Sequence, residues 1–415
     1  LSRPTHSVDE QASTADSPTP PTRLHSIESI LGKALPAIAV AVVSLEFLWM
    51  FRWYQSIIAR GGEGWQTGDW LINYAGGPVR RGAAGEFLFR VLPSEQLLQA
   101  VFWIQVGFLF AFCSLSVFLF LKSPRSAPWF ALTLSPAFLL FPFLSPEGGL
   151  RKELIGLTAL AWLAVAIRMK WAPWTRLPAL LLFAIGLSGH EVTVLMLPAF
   201  AFLLFQEHGL RNSSAWTRTE AAAYAAMGVL ALVFYALRPG SSEQVSAICQ
   251  SWQEYGIWSN PDTLQAFCNS AVEPLGDTTL EAAKAVAANF PGYLSLVSLV
   301  VLASVPFYLV RIPRSVVFFA AVQFVALVPL FVVGTDYGRW FFVFFSITSL
   351  IVLSLSTRLA NRTRGVPNWA AVVYVSLWSI PYAGTPTGWS LFSQVTQPLY
   401  QSIAEQIVRM TPWLG

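Results

Sequence analysis

The chain predicts an all-α, polytopic transmembrane helix bundle of about eleven spans with a cavity on its outer face. Three observations carry that prediction. Hydrophobic residues make up 55 % of the 415 and charged residues only 12 %, where an ordinary soluble domain carries about 25 % charged; the mean hydropathy is +0.55. Apolar runs of roughly 20 residues, enough to cross a ~30 Å hydrocarbon core, recur along the chain. Many of the basic residues sit in the short connections between these runs, where topology accounts for them. The net charge of +4 gives no reason to expect nucleic acid, and the 17 Trp residues fit interfacial belts.

Taken in order, residues 1–28 are rich in Ser, Thr and Pro and lack an apolar core. They read as a disordered cytoplasmic tail and not as a signal peptide; 29–415 is the transmembrane domain. A first span covers 35–58, with Pro36 near its start. The polar connection 59–96 follows, and its second half, VRRGAAGEFLFRVL, has the pattern of an interfacial amphipathic helix. Further spans are expected at 97–121, 128–144, 150–168, 177–189, 192–206, 220–238, 289–310, 315–333, 340–356 and 368–384. The pair 177–189 and 192–206 is short for a bilayer and reads either as two spans or as one helix broken at Gly189. The region after 385, with Trp389 and Trp413, looks interfacial. No internal repeat stands out.

The connections KSPR (122–125), RMKWAPWTR (168–176), 206–219, RIPR (311–314) and TRLANRTR (357–364) fall on alternate sides of the spans, and so on one side together. Their basic residues place that side, with the N-terminus, in the cytoplasm. The loops 59–96 and 239–288 then face outward. Cys249 and Cys268 share the second of these, in an oxidising compartment where a disulfide between them is expected. Cys113 lies within a span and reads as a packing residue.

Four polar stretches then share the outer side: GDWLINYAGGPVRRG (68–82), SPEGGLRKE (145–153), GHE (189–191) and GTDYGRW (334–340). In the first, Arg80 and Arg81 stand among glycines that let backbone approach a ligand, and guanidinium groups bind phosphate in a bidentate way. The same pair would also serve as snorkelling arginines. Asp69 and Glu63 precede them, each either a base or a salt-bridge partner. In the second, Arg151 and Lys152 suit a headgroup anchor, but Glu153 lies deeper and needs a partner. His190 and Glu191 are ionisable groups between apolar runs, suited to general-base work or to a satisfied helix hinge. Asp336 and Arg339, three apart, pair on one face of a helical turn, either structurally or with Asp336 orienting Arg339 toward phosphate.

Several signatures are missing from the sequence: an Asp-x-Asp pair, a His/Cys cluster at metal spacing, a Walker loop and a G-x-S-x-G elbow. A mechanism without a metal or other cofactor is therefore expected. RKE, then HE followed by an apolar run with Pro198, then DYGRW, together with GGPVRRG after the first span, resembles the multi-spanning polysaccharide polymerases of bacterial O-antigen and exopolysaccharide clusters (Wzy-like proteins). The resemblance covers about 60–340 and leaves out the tail and the Cys-bearing loop. It implies an inverting glycosyltransferase of the bacterial inner membrane, working at the periplasmic face on undecaprenyl-diphosphate-linked glycans. Membrane lipid surrounds such an enzyme, and a chain-length regulator or flippase would be its partner. Arg80, Arg81, Arg151 and Arg339 would meet the diphosphate, with Lys152, Glu153 and Asp336 beside them. Glu191, His190 or Asp69 would be the base. A single-addition transferase of the GT-C type, using a polyprenyl-phosphate sugar, and a lipid-linked glycan transporter are the competing readings.

Overall fold

The computed structural model describes residues 23–206, 211–238, 240–255 and 290–381, with a few isolated positions besides. Residues 1–22 of the expected tail, Cys268, Trp389 and Trp413 lie outside the described residues, whereas residues 23–28, expected to belong to a disordered tail, are the start of a long helix. All regular structure among the described residues is helical. The helices used below are α1 (Arg23–Ala59), α2 (Ala83–Val91), α3 (Ser94–Leu121), α4 (Ala127–Thr133), α5 (Glu153–Arg168), α6 (Leu177–Gly189), α7 (Leu197–Phe205), α8 (Ala215–Leu237), α9 (Ser242–Glu254), α10 (Phe290–Val310), α11 (Arg314–Val333), α12 (Tyr337–Ser354) and α13 (Asn368–Ser376). Among the described residues, 5 helices are long and apolar enough to cross a membrane: α1, α3, α8, α11 and α12. Shorter apolar helices accompany them.

Two helices form the centre. Helix α5 is buried from Leu154 to Ile167 except at Trp162, and α12 is buried from Gly338 to Ser354 except at Phe341 and Phe344. They pack on each other, with α3, α6 and α7 around α5 and α10 and α11 against α12. A helix apolar on all sides is stable only when wrapped in this way. The outer helices instead turn large apolar side chains outward: Leu45 and Leu48 on α1, Leu230 and Val233 on α8, Phe318 and Val325 on α11. Faces of this kind in water would be aggregation sites, and in lipid they are ordinary.

One expected span is not a single helix. The stretch 128–144 begins as α4, which is only 7 residues long, and continues as turns at Phe141–Leu144 and Pro146–Gly149. Pro136, Pro142 and Pro146 explain the break, since each removes an N–H donor and disfavours helix at the residue before it. Irregular backbone is tolerated at this depth because it is enclosed by protein. All residues from Ala127 to Leu150 are buried except Glu147, and Phe141 stacks on Phe342 of α12 with ring centroids 4.6 Å apart. The 177–206 region does break after Gly189, with His190 in extended conformation. Among the described residues of the expected span 368–384, only α13 is helical.

The basic connections meet at one end of the bundle. Arg168 Nη2 donates to the Lys122 carbonyl at 2.9 Å and Arg176 pairs with Glu220 at 3.4 Å. The Arg364 N–H donates to the Leu309 carbonyl at 2.8 Å, and the Asn368 N–H to Glu28 of α1 at 2.8 Å. At the opposite end, the loop between α1 and α3 and helix α9 build a small second core. Its members include Trp70, Ile72, Val79, Leu88, Ile248 and Trp252. The reading of 239–288 as a plain loop missed α9. Its capping box, Ser241 with Gln244, followed by Ile248 and Trp252 one helical turn apart, is the signal that was legible.

Gly85 of α2 lies against the backbone of the Leu71–Ile72 turn inside this second core. A Cβ there would stand 2.1 Å from the Ile72 carbonyl oxygen. Gly85→Ala is therefore expected to cost at least about 1–3 kcal/mol through overpacking, read as a fall in thermal unfolding temperature in detergent. Gly107→Ala on α3, with nothing within 4 Å of the new methyl, is the matched control and should be neutral or stabilising.

Candidate functional site

All four polar stretches reach the end of the bundle that carries α9. Helix geometry delivers them there: Glu153 is the first residue of α5, Arg339 lies in the first turn of α12, and His190 and Glu191 fill the break after α6. The Asp69 turn and the GGPVRRG segment close over them from the α1–α3 loop.

Glu153 lies between two partners. Its Oε1 is 3.2 Å from Arg339 Nη2 and 3.4 Å from His190 Nε2. Arg339 also reaches Asp336 through Nη1 at 3.1 Å, and its guanidinium lies over the Trp340 ring, 3.9 Å from the centroid. The Val192 N–H donates to His190 Nδ1 at 3.2 Å, so the imidazole proton sits on Nε2 and faces Glu153. Glu191 holds Arg81 in a two-pronged pair, with Arg81 Nε donating to Oε2 at 2.9 Å and to Oε1 at 3.1 Å and Nη2 donating to Oε1. Lys152 Nζ donates to the Arg81 carbonyl at 2.8 Å. Arg81 itself has φ 66°, a left-handed conformation that is uncommon for arginine and clusters at functional positions.

Asp69 is buried in the loop. Burial alone would raise its pKa, but Lys152, then Arg151, His190 and Arg81, outweigh it and hold the carboxyl well below the usual range. Its Oδ2 has no hydrogen-bond partner among the described residues. Glu63 behaves oppositely, pushed up by burial first and then by Glu147. Arg80 is close enough to Arg81 and Glu191 to act on both electrostatically. Every candidate site residue named from the sequence is thus gathered at this end, Cys268 aside. Cys249 of α9 is disulfide-bonded, and Cys268 lies outside the described residues.

Supporting residues were not legible in the sequence. Gln105, fully buried on α3, donates to the Gln66 and Leu150 carbonyls at 2.6 Å each and so fixes the loops that carry Asp69 and Arg151. Gln323 of α11 donates to the Leu195 carbonyl at 2.8 Å, a group near Pro198 where the helical ladder is interrupted. Trp252 Nε1 donates to the Leu71 carbonyl at 2.9 Å, and Asn73 Nδ2 to Ser251 Oγ at 2.9 Å. Gln105 and Gln323 are single polar groups in apolar runs, and all these partners lie far away in sequence.

The arrangement breaks a helix rule. Cations are favoured at helix C-termini and acids at N-termini. Here Arg151, Lys152 and Arg339 stand at the N-termini of the two most buried helices. Positive side chains and positive helix ends reinforce one another, and the acids Asp69, Glu153, Glu191 and Asp336 compensate. Such a centre is built to receive negative charge.

No protein-family model, curated protein or solved structure matches the chain.

Removing Arg339 would leave Glu153 buried without its cation. Arg339→Met is expected to cost about 3–5 kcal/mol, and Glu153→Gln in the same chain should recover much of that loss. Thermal or denaturant unfolding of both single variants and the double variant reads the coupling; additive losses would show that the pair does not interact.

Proposed function

We propose that the chain is an integral membrane glycosyltransferase, a polysaccharide polymerase acting on undecaprenyl-diphosphate-linked glycans at the periplasmic face of the bacterial inner membrane, inverting and independent of a metal. The observation that carries this reading is the accumulation of cations at two helix N-termini with an ionised, partly unpartnered Asp69 beside them. In the step proposed, the acceptor sugar hydroxyl attacks the anomeric carbon of the donor. Asp69 takes the hydroxyl proton, the bond from that carbon to phosphate oxygen breaks, and the carrier leaves as its diphosphate anion. Arg80, Arg81, Arg151 and Arg339 supply the positive charge that meets the leaving group, a preorganised form of electrostatic stabilisation.

Geometry favours Asp69 over the other two candidate bases. Glu191 is engaged in both directions by Arg81, and each ring nitrogen of His190 already has a neighbour, Val192 N–H on one side and Glu153 on the other. Those two are better suited to shaping the site. A second reading rests on the same residue. Asp69 stands in the loop directly after the first long helix, which is where a GT-C-type transferase using a polyprenyl-phosphate sugar keeps its acid. A transporter is disfavoured, because its ionisable groups belong near the bilayer midplane and here they gather at one end of the bundle.

Reconstituted with lipid-linked repeat units, the protein is expected to yield a ladder of products; a single added sugar would select the GT-C reading, and movement of lipid with no new glycosidic bond the transporter. Asp69→Asn should lower turnover per folded molecule about 10²–10⁴-fold, the usual share of a general base, with a lowered unfolding temperature because Lys152 and Arg151 lose a buried counter-charge. Near-normal turnover would remove Asp69 from the mechanism. Arg339→Lys should also fail, because an ammonium cannot reproduce the fork held between Glu153 and Asp336.

A further inference from the structure

Within the buried charge network, the Arg81–Glu191 pair differs in two respects. Its side chains are 23 % and 22 % exposed, whereas Lys152, Glu153 and His190 are essentially sealed. It is also the pair with the geometry that a phosphate would use. Arg81 presents Nε and Nη2 side by side, and Glu191 answers with two oxygens at nearly the spacing of two phosphate oxygens. The backbone of Arg81 is held in its left-handed conformation, with Lys152 Nζ on its carbonyl, by contacts that do not involve its guanidinium.

We propose that Glu191 is an internal placeholder: in the empty protein its carboxylate fills the Arg81 fork, and the phosphate group of the ligand takes that fork in exchange. This deepens the transferase reading and rests on it for the identity of the ligand, though not for the exchange. Exchange is inexpensive for two reasons. One anion replaces another, so Arg81 is never left buried without a counter-charge. The displaced carboxylate is already partly exposed and passes to water, so it is not driven into an apolar pocket. A placeholder also offsets the repulsion between Arg80 and Arg81 in the empty site, since both face Glu191 electrostatically.

The test uses the full chain purified in detergent and inorganic pyrophosphate as probe, with binding followed by calorimetry. Glu191→Gln keeps the shape and removes the competing charge. It is expected to bind pyrophosphate at least 10-fold more tightly than the parent, a gain of about 1.4 kcal/mol, and Arg81→Lys should lose that binding in either background. Equal or weaker binding by Glu191→Gln in a chain that still unfolds cooperatively overturns the proposal, and so does binding by neither. Undecaprenyl diphosphate in nanodiscs then either competes with the probe, assigning the fork to a lipid headgroup, or does not, assigning it to a soluble anion; both results uphold the exchange. Tighter binding without glycosyl transfer by any variant would sustain the placeholder and refute the transferase. Transfer activity without the binding gain would do the reverse.

Discussion

Cations placed at the wrong ends of two buried helices are the constraint from which the rest of this structure follows. An arginine or lysine at a helix N-terminus opposes the backbone dipole, and in surroundings of low dielectric that opposition is costly. Arg151, Lys152 and Arg339 take these positions on α5 and α12. Four carboxylates from four different segments are drawn in to offset them: Asp69 from the first loop, Glu153 from α5 itself, Glu191 from the helix break and Asp336 from the start of α12. The charges are therefore mutually dependent, and stability alone gives no reason to assemble them. Replacing buried ion pairs with apolar residues is often neutral or favourable.

The scaffold is arranged to hold that centre still. Central helices wrapped on all sides have little freedom to tilt, and the aromatic contacts between Phe342 and the irregular stretch after α4 lock α12 in place. Loops that would otherwise be loose are tied by long-range bonds from single buried side chains, Gln105 to two carbonyls and Trp252 to a third. Helix α9 acts as a brace across the 69–79 segment, through Trp252 on the Leu71 carbonyl and Ser251 on Asn73. Rigidity of this sort suits chemistry in which the charges must be in position before the reaction begins.

Under the proposed function, the ligand that such a cluster of cations would take is a phosphorylated lipid. Helices α1, α8 and α11 turn large apolar side chains outward, as a lipid setting for that proposal requires. The reading as a glycosyltransferase unites an ionised carboxylate, a ring of cations and a membrane setting. Its nearest rivals share the ligand and differ only in what becomes of the sugar.

Much of the fold could be read directly. Apolar runs marked the long helices because a hydrocarbon thickness fixes their length, and the basic connections grouped at one end because helices that cross a layer must alternate. The four motifs were visible as ionisable residues in apolar surroundings. Three things required the tertiary structure. The run 128–144 is apolar throughout, so hydropathy could not distinguish a span from enclosed turns, although its prolines pointed to the latter. Helix α9 is too polar to register as a membrane element; its capping box and the Ile248–Trp252 spacing marked a helix, but what that helix packs on, Trp70 and Leu71, came only from the structure. The pairing of charges was decided last: composition revealed which acids and bases were present, but whether Glu191 faced Arg81, His190 or water depended on residues 110 apart in the chain meeting in space. Sequence order carries no information on distances of that kind until the helices have packed.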